Sequence, residues 1–409
     1  MISPYQKVRI PVITGFVVSF LLFIVTNCTC NPDTDRKNES IPQLWITTDT
    51  VIGKEKKTDC RILYTENGDT IIRAGKIKYR GASSGKYPKH SMSLELENKN
   101  SLGKLPADKD WILNANYIDK TMMRHKLCFD LFREMNPHHI VASSTYIWVT
   151  ENNASQGLYV LMEEIDKSKT GLNKKDPQAM LFKEPALFYR DSVPTNADSD
   201  FFHQKFPKPS KSDKTAYLSS FQQFLLKASE EDFSQQIHTW VDLDNIIDWH
   251  ILLLFSNNQD GLLKNFYLYK LNSDTPFRII PWDYDHSFGR DGDNTLNMLK
   301  RNIRCEDNLL LHRLMNNPKL NYKTLLFNRW KELRAKGTIS LKNIQKHIRA
   351  NELVIHNFRA ANEKLWPTDD LKFYKDKNNY RQELKLIERY TQLRIAFLDD
   401  YLMQLSKPH

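Results

Sequence analysis

The hydrophobic pattern of this chain changes period partway along its length, and that change constrains the fold more than any other feature. Short β-branched and aromatic runs at 44–51, 60–65, 70–79, 91–97, 111–115, 145–150 and 157–163 are separated by turn signals such as Glu66-Asn67-Gly68-Asp69, a pattern that predicts strands. One helix interrupts them at 119–135, with Asp119 as its cap and Pro137 beyond its end. From about residue 215 apolar side chains recur three or four apart over 217–228, 244–254, 309–315, 321–334, 340–358 and 379–405, and this predicts helices. Two short strands, 265–271 and 277–281, make a lone hairpin inside that helical half, and 183–214 reads as a long connection. In the last helix Tyr380, Leu384, Ile387, Tyr390, Leu393, Phe397, Tyr401 and Leu405 form a stripe expected to pack in the core. The expected class is α+β, with a sheet-rich first half and a helical second half.

The N-terminus stands apart. Lys7 and Arg9 precede an apolar run that ends at Val25, and Cys28 follows directly. This reads as a signal sequence over 1–27, too short an apolar run to cross a bilayer comfortably. Val25-Thr26-Asn27-Cys28 is similar to the site at which bacterial lipoproteins are cleaved and lipidated, although Asn27 stands where Gly, Ala or Ser is usual. Cys28 is therefore the expected lipidation site, and the chain is expected to be exported and held at the cell envelope by a lipid or an apolar anchor. Residues 28–42 are polar and serve as a tether.

Composition removes several classes. The five cysteines, at 28, 30, 60, 128 and 305, have no zinc-ligand spacing, and buried free thiols are the plain expectation for those in the body. The formal charge of +10 is unaccompanied by a zinc finger, a recognition helix or an RNA-binding aromatic signature, so no nucleic-acid partner is expected. Lysine-rich solvated faces are the default reading of that excess. Gly-x-Ser-x-Gly and His-Glu-x-x-His are absent, and with them the common hydrolase signatures.

The strongest local signal is Asn257-Asn258-Gln259-Asp260-Gly261-Leu262-Leu263-Lys264-Asn265, then an aromatic strand, then Pro281-Trp282-Asp283-Tyr284-Asp285. Phosphoryl transfer needs a carboxylate near the acceptor hydroxyl and a divalent ion held by hard oxygens. Asp260 and Asn265 have the Asp-x₄-Asn spacing of a kinase catalytic loop, and Asp283 lies beyond the hairpin that would return a second carboxylate. Read alone, Asp and Asn at hairpin ends are equally turn residues.

The run Pro281-Trp282-Asp283-Tyr284-Asp285-His286-Ser287-Phe288-Gly289 resembles a signature of the CotH family of spore-coat-type atypical protein kinases. Tyr79-Arg80-Gly81-Ala82-Ser83-Ser84 through Pro88-Lys89, Trp111-Ile112-Leu113 with Asp119 and Arg124, and Gly157-Leu158-Tyr159 to Glu163 and Asp166 resemble further segments of it in the same order. Ala82 and His90 depart from the family pattern. The resemblance implies a two-lobed, protein-kinase-like fold with a sheet-rich N-lobe over 43–165 and a helical C-lobe over 166–409 that carries a catalytic hairpin at 257–289. It makes Asp260 the catalytic residue, and Asn265 and Asp283 the ligands of Mg²⁺ or Mn²⁺, with Asp285 as a further ligand or an orienting group. Lys89, Arg80 and Glu163 become nucleotide-contacting residues; alone, Lys89 reads as a solvated strand-end lysine and Glu163 as a surface strand residue. The activity implied is transfer of the ATP γ-phosphate to a Ser or Thr hydroxyl of a protein. The alternatives are an inactive kinase-like binding scaffold, or phosphoryl or nucleotidyl transfer to a sugar, lipid or small molecule. ATP is scarce outside the cytoplasm, so an exported kinase needs a nucleotide source or another donor.

Overall fold

The computed structural model describes residues 41–81, 83–190, 202–290, 303–368 and 378–407; the leader, most of the tether and Cys28 lie outside these ranges. Seven strands close into a barrel: β1 (Gln43–Thr47), β2 (Thr58–Glu66), β3 (Asp69–Arg80), β4 (Ser91–Asn100), β5 (Asp108–Asn114), β6 (Ser144–Glu151) and β7 (Ala154–Glu163). Their order is β1-β2-β3-β4-β5-β7-β6, and the parallel pairing of β1 with β6, from Gln43↔Trp148 to Ile46↔Glu151, closes the ring. Alternate residues point inward, as the period of two requires. Leu44, Ile46, Ile62, Tyr64, Leu94, Trp111, Leu113, Val149 and Tyr159 fill the interior. Ile112, Tyr146, Leu158, Val160 and Met162 face outward onto α1 (Arg124–Met135) and the helical half. β7 is thus covered on both faces, which is why 158–162 reads as an unbroken apolar run.

The second half contains β8 (Met180–Lys183), β9 (Gln204–Phe206), α2 (Thr215–Lys227), α3 (Glu230–Trp240), α4 (Leu243–Ser256), β10 (Phe266–Lys270), β11 (Arg278–Pro281), α5 (Leu309–Asn316), α6 (Tyr322–Ala335), α7 (Leu341–Leu365) and α8 (Tyr380–Leu405). α4 is buried from Asn245 through Ser256, so it runs through the core. Its start is fastened to the hairpin. Asp242 caps the helix through the Asn245 N–H and pairs with Arg278 at 2.7 Å. The Asn245 amide then bonds both ways to Ile279 on the edge of β11, at 3.1 and 2.7 Å, standing in for a neighbouring strand.

Several expectations need correction. The hairpin is not alone: β10 and β11 belong to a four-stranded sheet of order β11-β10-β8-β9. β9 lies inside the stretch expected to be a connection, and α3 was not foreseen. The first helix begins at Arg124, five residues late, because Asp119 acts across a turn in which Met122 has φ 56°. Its carboxylate accepts the N–H groups of Thr121, Met123 and Arg124. On α8 the stripe is buried only through Tyr390. Beyond it the buried row passes to Ile395, Leu398 and Leu402, leaving Leu393, Phe397 and Tyr401 exposed. At 3.6 residues per turn a straight row drifts around the helix, and α8 turns a different side to its partners: Arg394 donates to the Leu254 carbonyl and Asp399 accepts from Trp330. Cys60, Cys128 and Cys305 are buried free thiols, as expected.

Candidate functional site

α4 ends where the chemistry-bearing segment begins. Asn257 closes the helix in the left-handed conformation (φ 57°), a position that favours Asn over most residues. The chain then makes a short turn, Asp260–Leu262, and enters β10 through Asn265, also left-handed at φ 58°. β10 and β11 return it to Asp283, a third left-handed residue at φ 56°. Two side chains pin that residue: Asn265 Nδ2 donates to the Asp283 carbonyl at 3.1 Å, and Asn258 Nδ2 donates to the same oxygen at 3.3 Å. Asn258 Oδ1 also takes the Gly261 N–H at 3.1 Å. The two amides thus hold an energetically costly backbone conformation in place.

Asp260, Asn265, Asp283 and Asp285 line one cavity of about 710 Å³, together with Arg80, Lys89, His125, Glu164, Lys264, Tyr267 and His286. Residues more than 200 positions apart in sequence therefore meet here. A smaller cavity, of about 300 Å³, shares Lys89 and the turn at 115–117 with it but holds none of the four catalytic or metal candidates.

The carboxylates sit around His286, whose Nδ1 lies 3.6 Å from Asp260 and whose Nε2 lies 3.5 Å from Asp285. Burial opposes a charged imidazole, yet the charges of Asp285, Asp260 and Asp283 raise it to about 9. Burial likewise opposes ionisation of Asp260, but His286 and Lys264, the latter at 3.1 Å, hold its carboxyl below the usual range. Asp285 is pushed the other way, by burial and then by the negative charges of Asp283 and Asp119 that His286 only partly offsets. Its carboxyl stands in a site short of positive charge. Asp283 is half exposed and faces His125, whose Nδ1 is 3.9 Å away.

That donor set suits a hard divalent cation: two carboxylates, and the amide oxygen of Asn265, whose nitrogen is committed to the Asp283 carbonyl. Among the described residues no three His, Cys, Asp or Glu side chains are grouped as a ready-made cage. An ion held by Asp283, Asp285 and Asn265 would complete its shell with water and ligand oxygens, as Mg²⁺ usually does.

The nucleotide-contact candidates are arranged unevenly. Arg80, at the end of β3, lies over the Trp282 ring at 5.9 Å and its Nη1 is buried without a hydrogen-bond partner. Lys89 is not solvated. It is 2% exposed, donates to the Leu158 carbonyl and to Asn362 Oδ1, and lies 4.3 Å over the Tyr159 ring. Burial lowers its pKa well below that of an ordinary lysine. Glu163 is buried as well, which corrects its reading as a surface residue. It accepts the Ser143 N–H at 2.7 Å and pairs with Lys169, whereas the next residue, Glu164, lines the cavity. Gly81 (φ 112°) and Ser84 form part of the rim. A Cβ at Gly81 would collide with the Ser84 hydroxyl, so the turn requires glycine.

Sequence reasoning missed Asn258, His125, Lys264 and His286 as site residues. Asn258, Lys264 and His286 stand inside the motif, where nothing in their spacing announces a role; His125 carries no local signal at all.

A family model described as CotH kinase protein matches residues 77–398. Among curated proteins, the inner spore coat protein H of Bacillus subtilis (strain 168) is 26% identical over 220 residues, which cover 53% of this chain and 59% of that protein. The match thus spans little more than half the length of that relative.

Proposed function

Because the chain belongs to the CotH kinase family, with a family match from residue 77 to 398, we propose that it is a divalent-metal-dependent phosphotransferase on a two-lobed, kinase-like scaffold. It moves the ATP γ-phosphate to a Ser or Thr hydroxyl of a protein at the cell envelope. One observation carries the reading. A single cavity has the carboxylates of Asp260, Asp283 and Asp285 on its wall together with Lys54, Lys78, Arg80, Lys167 and Lys205, none of which has an ion-pair partner among the described residues. Unneutralised cations beside clustered acids suit a metal-bound polyanion better than a neutral ligand.

In this mechanism Asp260 accepts the acceptor hydroxyl as a hydrogen-bond partner and takes its proton as the new O–P bond forms. The bond from the γ-phosphorus to the bridging oxygen breaks, and ADP leaves. His286 and Lys264 fix the Asp260 carboxylate. With a depressed pKa it orients the nucleophile more than it stores a proton. Asp283, Asp285 and Asn265 would hold the divalent ion, which supplies positive charge against the phosphate oxygens. Asn258 and Asn265 keep Asp283 in its left-handed conformation. The relative's name places that protein in the spore coat. For this chain we propose an envelope location set by the N-terminal segment and Cys28; among the described residues no helix is long and apolar enough to cross a membrane.

A binding scaffold without turnover is the second reading. It is favoured by Lys89, whose ammonium is committed to protein oxygens. Asp283→Asn and Asp260→Asn separate the two. Asp283→Asn removes a charge from the proposed ion site and should lower transfer by about 10²–10³-fold, the scale of one well-placed electrostatic group, and weaken Mg²⁺-dependent ATP binding. Asp260→Asn should abolish transfer while leaving that binding in place. Full transfer by Asp283→Asn would remove Asp283 from the ion site, whereas failure of the wild type to transfer phosphate, or to bind ATP, with any divalent ion gives the scaffold reading instead.

A further inference from the structure

The sheet of the helical half contributes two cations to the cavity that the motif does not contain, and both are placed by specific backbone features. Between β8 and β9 the pairing passes from Phe182↔Gln204 to Leu181↔Phe206, one step on β8 and two on β9. Lys205 is the extra residue, on a β-bulge, a device that re-aims a side chain. Its neighbour Gln204 points the other way and is locked: Nε2 donates to the Pro207 and Ser212 carbonyls at 2.7 and 2.8 Å, and Oε1 accepts the Lys214 N–H at 2.8 Å. On the adjacent strand Lys183 is the register partner of Tyr267, so the two side chains share the cavity face of the sheet.

We infer that Lys205 and Lys183, with Arg80 opposite, form a subsite for a phosphate-type dianion inside the cavity. Three facts support it. The three cations come from β9, β8 and β3 and line one cavity. Lys205 and Arg80 have no ion-pair partner among the described residues, and Lys183 reaches only Glu184, at a long 3.8 Å. Arg80 lines the cavity, and its Nη1 is buried and lacks an acceptor, so its guanidinium has a donor left unsatisfied by the protein. The ammonium of Lys205 agrees: the surrounding protein, then the like charges of Lys183 and Arg80, pull its pKa down although Glu164 and Glu184 oppose them. Like charges that Glu164 and Glu184 only partly offset are what an anion would stabilise. The anion is either the phosphate chain of the nucleotide or a phosphate already present on the acceptor.

This inference deepens the phosphotransferase reading, and the test separates the two. Full-length wild type, Lys205→Ala, Lys205→Arg and Lys183→Ala are titrated calorimetrically with inorganic pyrophosphate without metal, then with ATP and with adenosine in Mg²⁺. Lys205→Ala should weaken pyrophosphate about tenfold and lower the salt dependence of binding, with Lys205→Arg restoring most of it, as loss of one charge-assisted contact requires. A parallel loss for ATP but not adenosine assigns the subsite to the nucleotide. Unchanged ATP binding with weakened pyrophosphate assigns it to an anionic acceptor. Pyrophosphate binding that survives without ATP binding keeps the subsite and removes the kinase reading. The inference fails if the wild type does not bind pyrophosphate, or binds it as tightly after Lys205→Ala and Lys183→Ala.

Discussion

Replacing Arg124 by Met should cost about 3–5 kcal/mol of stability, because it leaves the buried carboxylates of Asp119 and Glu383 without one of their partners. Arg124 is fully buried. Its Nη1 lies 2.5 Å from Asp119 and its Nη2 2.9 Å from Glu383, while Nε donates at 3.0 Å to the Ser287 carbonyl within the Asp283–Gly289 segment. Arg290 pairs with the same Glu383. Among the described residues the cluster thus holds two cations and two anions. The substitution keeps the length and apolar stem of the side chain but takes a buried positive charge away from Asp119 and Glu383.

A second route gives a similar magnitude. Although burial opposes its ionisation, Glu383 is held at about 2 by Arg124 and Arg290, against a reference of 4.5. At 1.36 kcal/mol per unit, that shift corresponds to about 3 kcal/mol of net pairing shared between the two arginines and Asn378. Urea denaturation followed by fluorescence is the assay. With an m-value of about 3 kcal/mol per M, the midpoint should fall by at least about 1 M. Adding Glu383→Gln to Arg124→Met neutralises one of the two carboxylates, so the double variant should be more stable than the sum of the single costs implies, by roughly 1–3 kcal/mol. A cost below 1 kcal/mol for Arg124→Met, or strict additivity, would refute the charge-pairing argument.

Two further outcomes follow from local geometry. In Gly261→Ala the new Cβ would meet Leu253 Cδ2 at 2.9 Å, Tyr284 Oη at 3.1 Å and Asn258 Nδ2 at 3.2 Å, so it should cost about 1–3 kcal/mol by overpacking and weaken ATP binding by moving the amide that pins Asp283; wild-type stability would contradict it. Burial lowers the pKa of His250 from 6.5 to about 3, so the unfolded chain binds more protons between those values, and stability should be constant above about pH 6.5 and fall below it. At pH 5 the loss from this group is about 2 kcal/mol, and His250→Phe should flatten the profile of urea midpoint against pH; an equally steep profile in the variant would sink the assignment.

Fold class was legible because burial follows period. Strands with one face inside the barrel alternate, and α4, buried along its length, is mostly apolar with Asn245, Asp248 and His250 as buried polar exceptions. What escaped was non-local or short. The β1–β6 pairing joins residues about a hundred positions apart, and β9 has only three residues, too few for a pattern. α3 did carry a start signal, since Ser229 caps it through the Asp232 N–H. Its sequence, with three acids in the first turn and few apolar residues, hid the short buried edge formed by Phe233 and Ile237.

The site divides along the same line. Asp260, Asn265, Asp283 and Asp285 lie within one hairpin, so their spacing alone brings them to one edge, and their sequence pattern could be read. Glu163 and Glu164 differ by one position at a strand end, where successive side chains take opposite faces, and only the register decides which of them lines the cavity. The cations are the least local. Lys54, Lys78, Arg80, Lys167 and Lys205 come from a loop, the end of β3, the segment after β7 and the bulge on β9, and no short motif could have gathered them. In composition they are indistinguishable from the lysines of a solvated face. Part of the +10 excess is therefore not spread over the surface but gathered by barrel and sheet topology around one cavity. Cations that repel one another and, among the described residues, have no ion-pair partner weaken the empty protein, and an anionic ligand would recover that cost on binding.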